Sequence, residues 1–180
     1  VGYSTQPANA TDVSVAGWVA HVSDELAGLR TIVVLNPQQP VQYGVLPLAG
    51  LVTGVEAREG LAAVTEGAVG LHLIDNGDPT DMQWLGSVGS RDFLHDVELA
   101  GDLAFAADGW AGVRAIEIAD PTSPLDAAWI TLAGETTSVR YAEGLLFATT
   151  REGGLWILDT DHGLSSITLP LILRALPGQH

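Results

Sequence analysis

A period of 42 residues runs through the chain and constrains its fold more than any other feature. Val13, Val55, Val97 and Val139 follow one another at that spacing without a gap, as do Gly28, Gly70, Gly112 and Gly154. The glycines are each followed by an apolar residue: Leu29, Leu71, Val113 or Leu155. Val19, Leu61, Leu103 and Leu145 keep a third register, and Ile32, Ile74, Ile116 and Leu158 a fourth. A proline register holds at Pro37, Pro79 and Pro121 and becomes Gly163 in the last copy. A chain with this self-similarity folds as an array of like units, each burying its apolar face on its neighbours.

Within a copy the pattern is that of strands. "DVSVAGWVAHVSD", "GVEAREGLAAVTE", "DVELAGDLAFAAD" and "SVRYAEGLLFATT" each read as two short strands. A tight turn joins each pair, at Ala16-Gly17, Glu59-Gly60, Gly101-Asp102 or Glu143-Gly144, which is hairpin grammar. A third strand follows the periodic glycine, as in "GLHLID" and "GLWILD", and a polar turn marked by Pro or Gly leads to a fourth. The fourth strands are "VQYGVL", "MQWLGSV", "LDAAWITL" and "SITLPLIL", the last placed near Ile167 to Leu173. No stretch offers an amphipathic helix. Four strands per copy of this length predict an all-β fold, a β-propeller built from four 42-residue, four-stranded blades. The expected blades are residues 10–50, 51–92, 93–134 and 135–180, the last with a C-terminal tail.

The stretches "LHLIDNGDPTD", "VRAIEIADPTSP" and "LWILDTDHG" resemble the LVIVD repeat, a propeller-type repeat of bacterial and archaeal proteins, many of them exported. The first copy departs from it, with Val33 where the others carry an acid, and the last copy loses the proline. The resemblance implies a propeller fold and an extracellular, periplasmic or cell-surface setting. It carries no catalytic residue, because the shared positions are structural.

Residues 1–9 begin with "VGYSTQ", which aligns one period before "YGVLPL" and reads as the outer strand of a preceding blade. That strand is surplus, because the last copy has its own. Three arrangements accommodate it: more blades upstream, association with another chain, or a closed four-blade ring with the first strand added to a sheet edge. An arc of a larger propeller, completed by a protein partner, further blades or a second copy, is the preferred expectation, since soluble proteins avoid exposed apolar faces.

Composition closes several routes. The formal charge of −15, with seven Arg and no Lys, argues against nucleic acid and anionic membrane surfaces. No cysteine is present, so disulfides and thiolate metal sites are excluded. No apolar run is long enough to span a membrane. "NAT" at Asn9 to Thr11 is a glycosylation sequon.

A meander of strands sends the loops after the second and fourth strands to one face. On that face the inter-blade loop "GSRDFLHD" departs most from its counterparts, and departures are where repeat proteins keep specificity. Arg91, Asp92, His95 and Asp96, with Asp108 and Trp110 from the next loop, are therefore the candidate partner-binding patch. The alternative is structural: a solvated Arg91–Asp92 pair, a satisfied His95 and an Asp96 that caps the first strand. Glu56, Glu98 and Arg140 alternate with the periodic valines and are candidates to line a central channel, or to pair with one another between blades. "DNGD" and "DTDHG" have the acid-rich look of calcium loops, but they occupy equivalent turns and lack the spaced acids of an EF-hand. The five histidines fall at scattered phases, and no phosphate loop or nucleophile elbow is present. The sequence supplies no catalytic residue, metal site or cofactor motif. It predicts a non-enzymatic interaction module, with a channel-based propeller hydrolase or metal-dependent enzyme as the alternative.

Overall fold

The computed structural model describes residues 2–4 and 9–160 and the backbone of residues 173–175. Among the described residues, sixteen strands form four antiparallel sheets of four strands each, connected in simple sequence order. The first blade contains β1 (Ala10–Ala16), β2 (Val19–Asp24), β3 (Gly28–Val33) and β4 (Val41–Leu46), and the second β5 (Val52–Arg58), β6 (Leu61–Glu66), β7 (Gly70–Asp75) and β8 (Gln83–Gly89). The third contains β9 (Leu94–Ala100), β10 (Leu103–Asp108), β11 (Val113–Glu117) and β12 (Leu125–Ile130), and the fourth β13 (Glu135–Ala142), β14 (Leu145–Arg151), β15 (Gly154–Thr160) and β16 (Leu173–Ala175). The innermost strands pack in series, β1 on β5, β5 on β9 and β9 on β13, and among the described residues the series stays open between its ends. The molecule is an arc of blades.

The periodic glycines explain the phase. Gly70 has a φ of 153° and Gly112 one of 94°, values that strongly favour glycine. A Cβ on either would collide with a backbone carbonyl of the adjoining fourth strand, Val88 or Ile130. In the first three blades the turn into the third strand therefore admits no side chain, whereas Gly154 in the fourth has open space around it. The next turn is closed by short polar side chains: Asp78 Oδ1 accepts from the amide and hydroxyl of Thr80, and Asp120 does the same with Thr122. Those bonds hold both aspartates below the usual carboxylate range. A bulge recurs where the third strand meets the fourth, between Thr31 and Ile32, Leu73 and Ile74, and Ala115 and Ile116, and twists each blade alike.

The core lies between blades. Leu29, Val55, Val64 and Ile74 pack together between the first and second, Leu71, Val97 and Ile116 between the second and third, and Phe105, Val113, Val139 and Leu158 between the third and fourth. The fourth strand of the last blade is β16, beginning where the sequence placed its end; residues 161–172, which held the rest of that expectation, lie outside the described residues. In the N-terminal segment, residues 2–4 are described and form no strand, but the Gly2 amide donates to the Pro37 carbonyl at 3.1 Å. No helix among the described residues is long and apolar enough to cross a membrane.

Candidate functional site

The loop face is held by a device that recurs in each blade. The second strand ends in a buried acid: Asp24, Glu66 or Asp108. Each acid accepts from backbone amides of the loop that leads into its own blade. Asp24 takes the Asn9 amide at 3.0 Å, Glu66 takes that of Gly50, and Asp108 takes those of Arg91 at 2.8 Å and Asp92 at 3.0 Å. Six residues on, a basic side chain of the third strand meets the same acid. Arg30 Nε lies 2.5 Å from Asp24, His72 Nε2 2.6 Å from Glu66, and Arg114 Nη1 3.1 Å from Asp108. Burial lowers the His72 pKa, against the raising effect of Glu66. In the fourth blade Thr150 and Trp156 replace the ionic pair, with the indole N–H donating at 3.3 Å.

This device relocates much of the candidate patch. Asp108 is fully buried and Asp96 nearly so, so neither presents a carboxylate to a partner. Asp96 joins two blades: Oδ1 accepts from the Val97 amide at 2.9 Å, and Oδ2 accepts from the Val139 amide at 3.0 Å and the Ser138 hydroxyl at 2.7 Å. Asp12 does the same two interfaces earlier, between the first and second blades, accepting from the Val13 and Val55 amides. His95 stands where the first two blades carry Thr11 and Thr53. Those threonines reach the next blade's Val52 and Leu94 carbonyls, whereas His95 Nε2 lies 3.0 Å from Glu135. Asp92 Oδ2 accepts from the Trp110 amide at 2.7 Å. Arg91 lies over the Trp129 ring, 3.9 Å from its centroid, and pairs with Asp126 at 3.1 Å.

Exposed apolar side chains also stand on this face. Trp110 is 60% exposed although its amide is fixed, and Leu26 and Val69 project from the equivalent loops of the two preceding blades. Leu51 joins them from an inter-blade loop. On the opposite face Trp18 and Leu35 are exposed, both on the first blade.

The channel candidates Glu56, Glu98 and Arg140 sit on neighbouring inner strands. Arg140 reaches Asp96 at 3.1 Å and Glu98 at 3.5 Å, and Glu56 is hydrogen-bonded to Ser14. Burial pushes the Glu56 carboxyl above its usual range, opposed by the Ser14 bond and the Arg140 charge. Burial raises Glu98 likewise, reinforced by the charge of Glu56. These groups partly neutralise one another around Arg140, and among the described residues no three acid or histidine side chains are placed to hold a metal ion. A small cleft of about 230 Å³ opens between the first two blades, lined by His21, Asn76 and the turns at Gly17, Gly60 and Gly77. His21 and Asn76 bond to each other at 3.0 Å there.

The acid clamp was missed in sequence because its registers mix residue types. Asp24, Glu66, Asp108 and Thr150 share one phase, and Arg30, His72, Arg114 and Trp156 another, six residues later. Three acid–base pairs at a constant offset were the available signal.

This geometry defines a β-propeller module, an open arc of four blades with one loop face made rigid by buried ion pairs. Residues 94–127, within the third blade, match the LVIVD repeat. No curated protein sequence matches the chain. Among solved structures, the designed protein Ika4 matches at a TM-score of 0.68 and 12% identity, over 87% of this chain and 94% of its own. The designed Ika8 matches at 0.67 and 9%, over 83% of this chain and 45% of its own. The β-propeller domain of Cps50 (Swd1) from Myceliophteria thermophila matches at 0.73 and 16%, over 93% of this chain and 57% of its own. This chain thus spans about half the length of the latter two, and the likeness is one of fold.

Proposed function

We propose that the chain is a non-enzymatic interaction module that binds a protein partner through the face carrying Leu26, Val69 and Trp110. The observation that carries this is the combination of rigid backbone and free apolar side chain at Trp110, whose amide is tied to Asp92 while its ring is exposed. A fixed, exposed tryptophan offers contact area at little cost in conformational entropy, which is the profile of an interface hot spot. Three successive blades contribute exposed apolar side chains to this face.

An exported or surface-associated setting goes with this reading, by the resemblance of residues 94–127 to the LVIVD repeat. The alternative is acid–base chemistry in the channel, favoured by the raised carboxyls of Glu56 and Glu98. The ion pairs of Arg140 with Asp96 and Glu98 weigh against it.

Selection of a displayed random-peptide library on the whole chain tests the binding face. We expect enriched peptides to lose at least about tenfold in affinity to Trp110→Ala, the loss of roughly 1.4 kcal/mol or more that marks a central aromatic. Enriched peptides that bind W110A and L26S as well as the parent would refute this face as the binding surface.

A further inference from the structure

The two ends of the arc are matched halves of one interface. Val13 in the first blade is 57% exposed, whereas Val55, Val97 and Val139 at the same phase are at most 2% exposed. Leu155 in the fourth blade is 63% exposed, whereas Leu29, Leu71 and Val113 are fully buried. Inside the arc these two registers share a core at every junction, Leu29 with Val55, Leu71 with Val97, and Val113 with Val139. We propose that the Leu155 face of one chain docks on the Val13 face of a second copy, so that two arcs close head to tail into a single ring.

Repeat geometry makes the contact self-complementary. The fourth blade presents to solvent the face that each earlier blade presents to its successor, and the first blade presents the face that each later blade turns to its predecessor. A contact of this kind between copies is heterologous, and it closes when each arc covers half a turn. Both open faces are then buried, which removes the apolar exposure that an isolated arc would carry.

The N-terminal segment marks the same place. A Cβ on Gly44 would strike the Pro79 carbonyl, and one on Gly86 the Pro121 carbonyl, because the fourth strand of each blade rests on the proline turn of the next. A Cβ on Gly2 would strike the Pro37 carbonyl in the same way. Residues 2–4 therefore stand where the outermost strand of a blade preceding the first would lie. In the closed pair that blade is the fourth blade of the second copy, whose described outer strand, β16, pairs with Leu158 to Thr160. The surfaces involved are distinct from the loop face that carries Trp110, so either reading can fail without the other.

Light scattering of the whole chain over about 1–100 μM tests the pairing, since association follows mass action. We expect a particle of twice 18.8 kDa. Val13→Arg and Leu155→Glu, both on exposed side chains, should each give a folded monomer by circular dichroism. Mixing V13R with L155E should restore the pair, because the hybrid has one unaltered junction and one that joins Arg to Glu. A parent that stays at 18.8 kDa throughout, one that grows beyond two copies, or variants that remain monomeric after mixing would each overturn the proposal.

Discussion

Asp108 is the side chain on which the loop face depends most. It is fully buried, accepts from two backbone amides of the preceding loop, and meets Arg114, itself almost inaccessible. Taking one partner from such an ion pair leaves the other charge without full compensation in a low-dielectric site. Asp126 still reaches Arg114 at 2.5 Å, but it cannot replace the acceptor for the Arg91 and Asp92 amides. Asp108→Ala should therefore cost about 3–5 kcal/mol, read as a lower denaturant midpoint with an unchanged slope. A loss under about 1 kcal/mol would show that the clamp contributes little net stability. From the sequence alone, Asp108 read as a surface acid beside Trp110. The loop position of that tryptophan was compatible with exposure or with covering the blade edge, and the structure leaves it exposed; the burial of the acid depends on Arg114, which approaches only once β10 and β11 pair.

At the scale of the element, the inner strands are the informative case. An innermost strand has one unpaired edge, and an open edge invites pairing with other chains. Here neighbouring blades cap it: Asp12 and Ser14 accept from the Val55 and Ala57 amides, and Asp96 from the Val139 amide. The strands, hairpin turns and blade phase were legible because each is written as a local pattern repeated four times. The cap that Asp96 places on its own strand was legible as well, but its reach into the next blade was not, since the cross-blade caps use Asp, Ser or Gly at equivalent positions. Glu56 and Glu98 lie beside these caps, and their raised carboxyls have a consequence for stability. A group whose pKa rises on folding contributes fully below its unfolded value, near 4.5, and loses that contribution as pH climbs through the folded value. Glu56→Gln removes one such group. Its melting temperature should match the parent at about pH 4 and exceed it at about pH 7.5, the difference growing between. The opposite trend from His21 and His72, whose pKa values burial lowers, is common to both proteins and cancels. Equal melting at both ends of the range would mean that Glu56 is not held above its normal range.

The whole molecule carries 22 acidic residues against seven arginines, so most of its carboxylates have no cation available. Five of the arginines, Arg30, Arg91, Arg114, Arg140 and Arg151, are already in ion pairs. Two opposing salt effects follow. Screening weakens the exposed pairs, such as Arg151 with Glu135, but it also relieves the repulsion among unpaired acids that disfavours the compact state. The buried pairs of Arg30 and Arg114 are sheltered from screening, so the repulsive term dominates at a net charge of −15. Raising NaCl from about 10 mM to about 150 mM, which shortens the screening length to about 8 Å, should therefore raise the melting temperature. Chloride is the suitable anion, because sulfate would strengthen apolar burial by exclusion and confuse the two effects. The same screening acts between copies: two arcs of like charge approach more readily in salt, so the paired fraction should rise over the same range. A melting temperature that falls with NaCl would show instead that the exposed ion pairs, and not the unpaired acids, set the electrostatic balance of the fold.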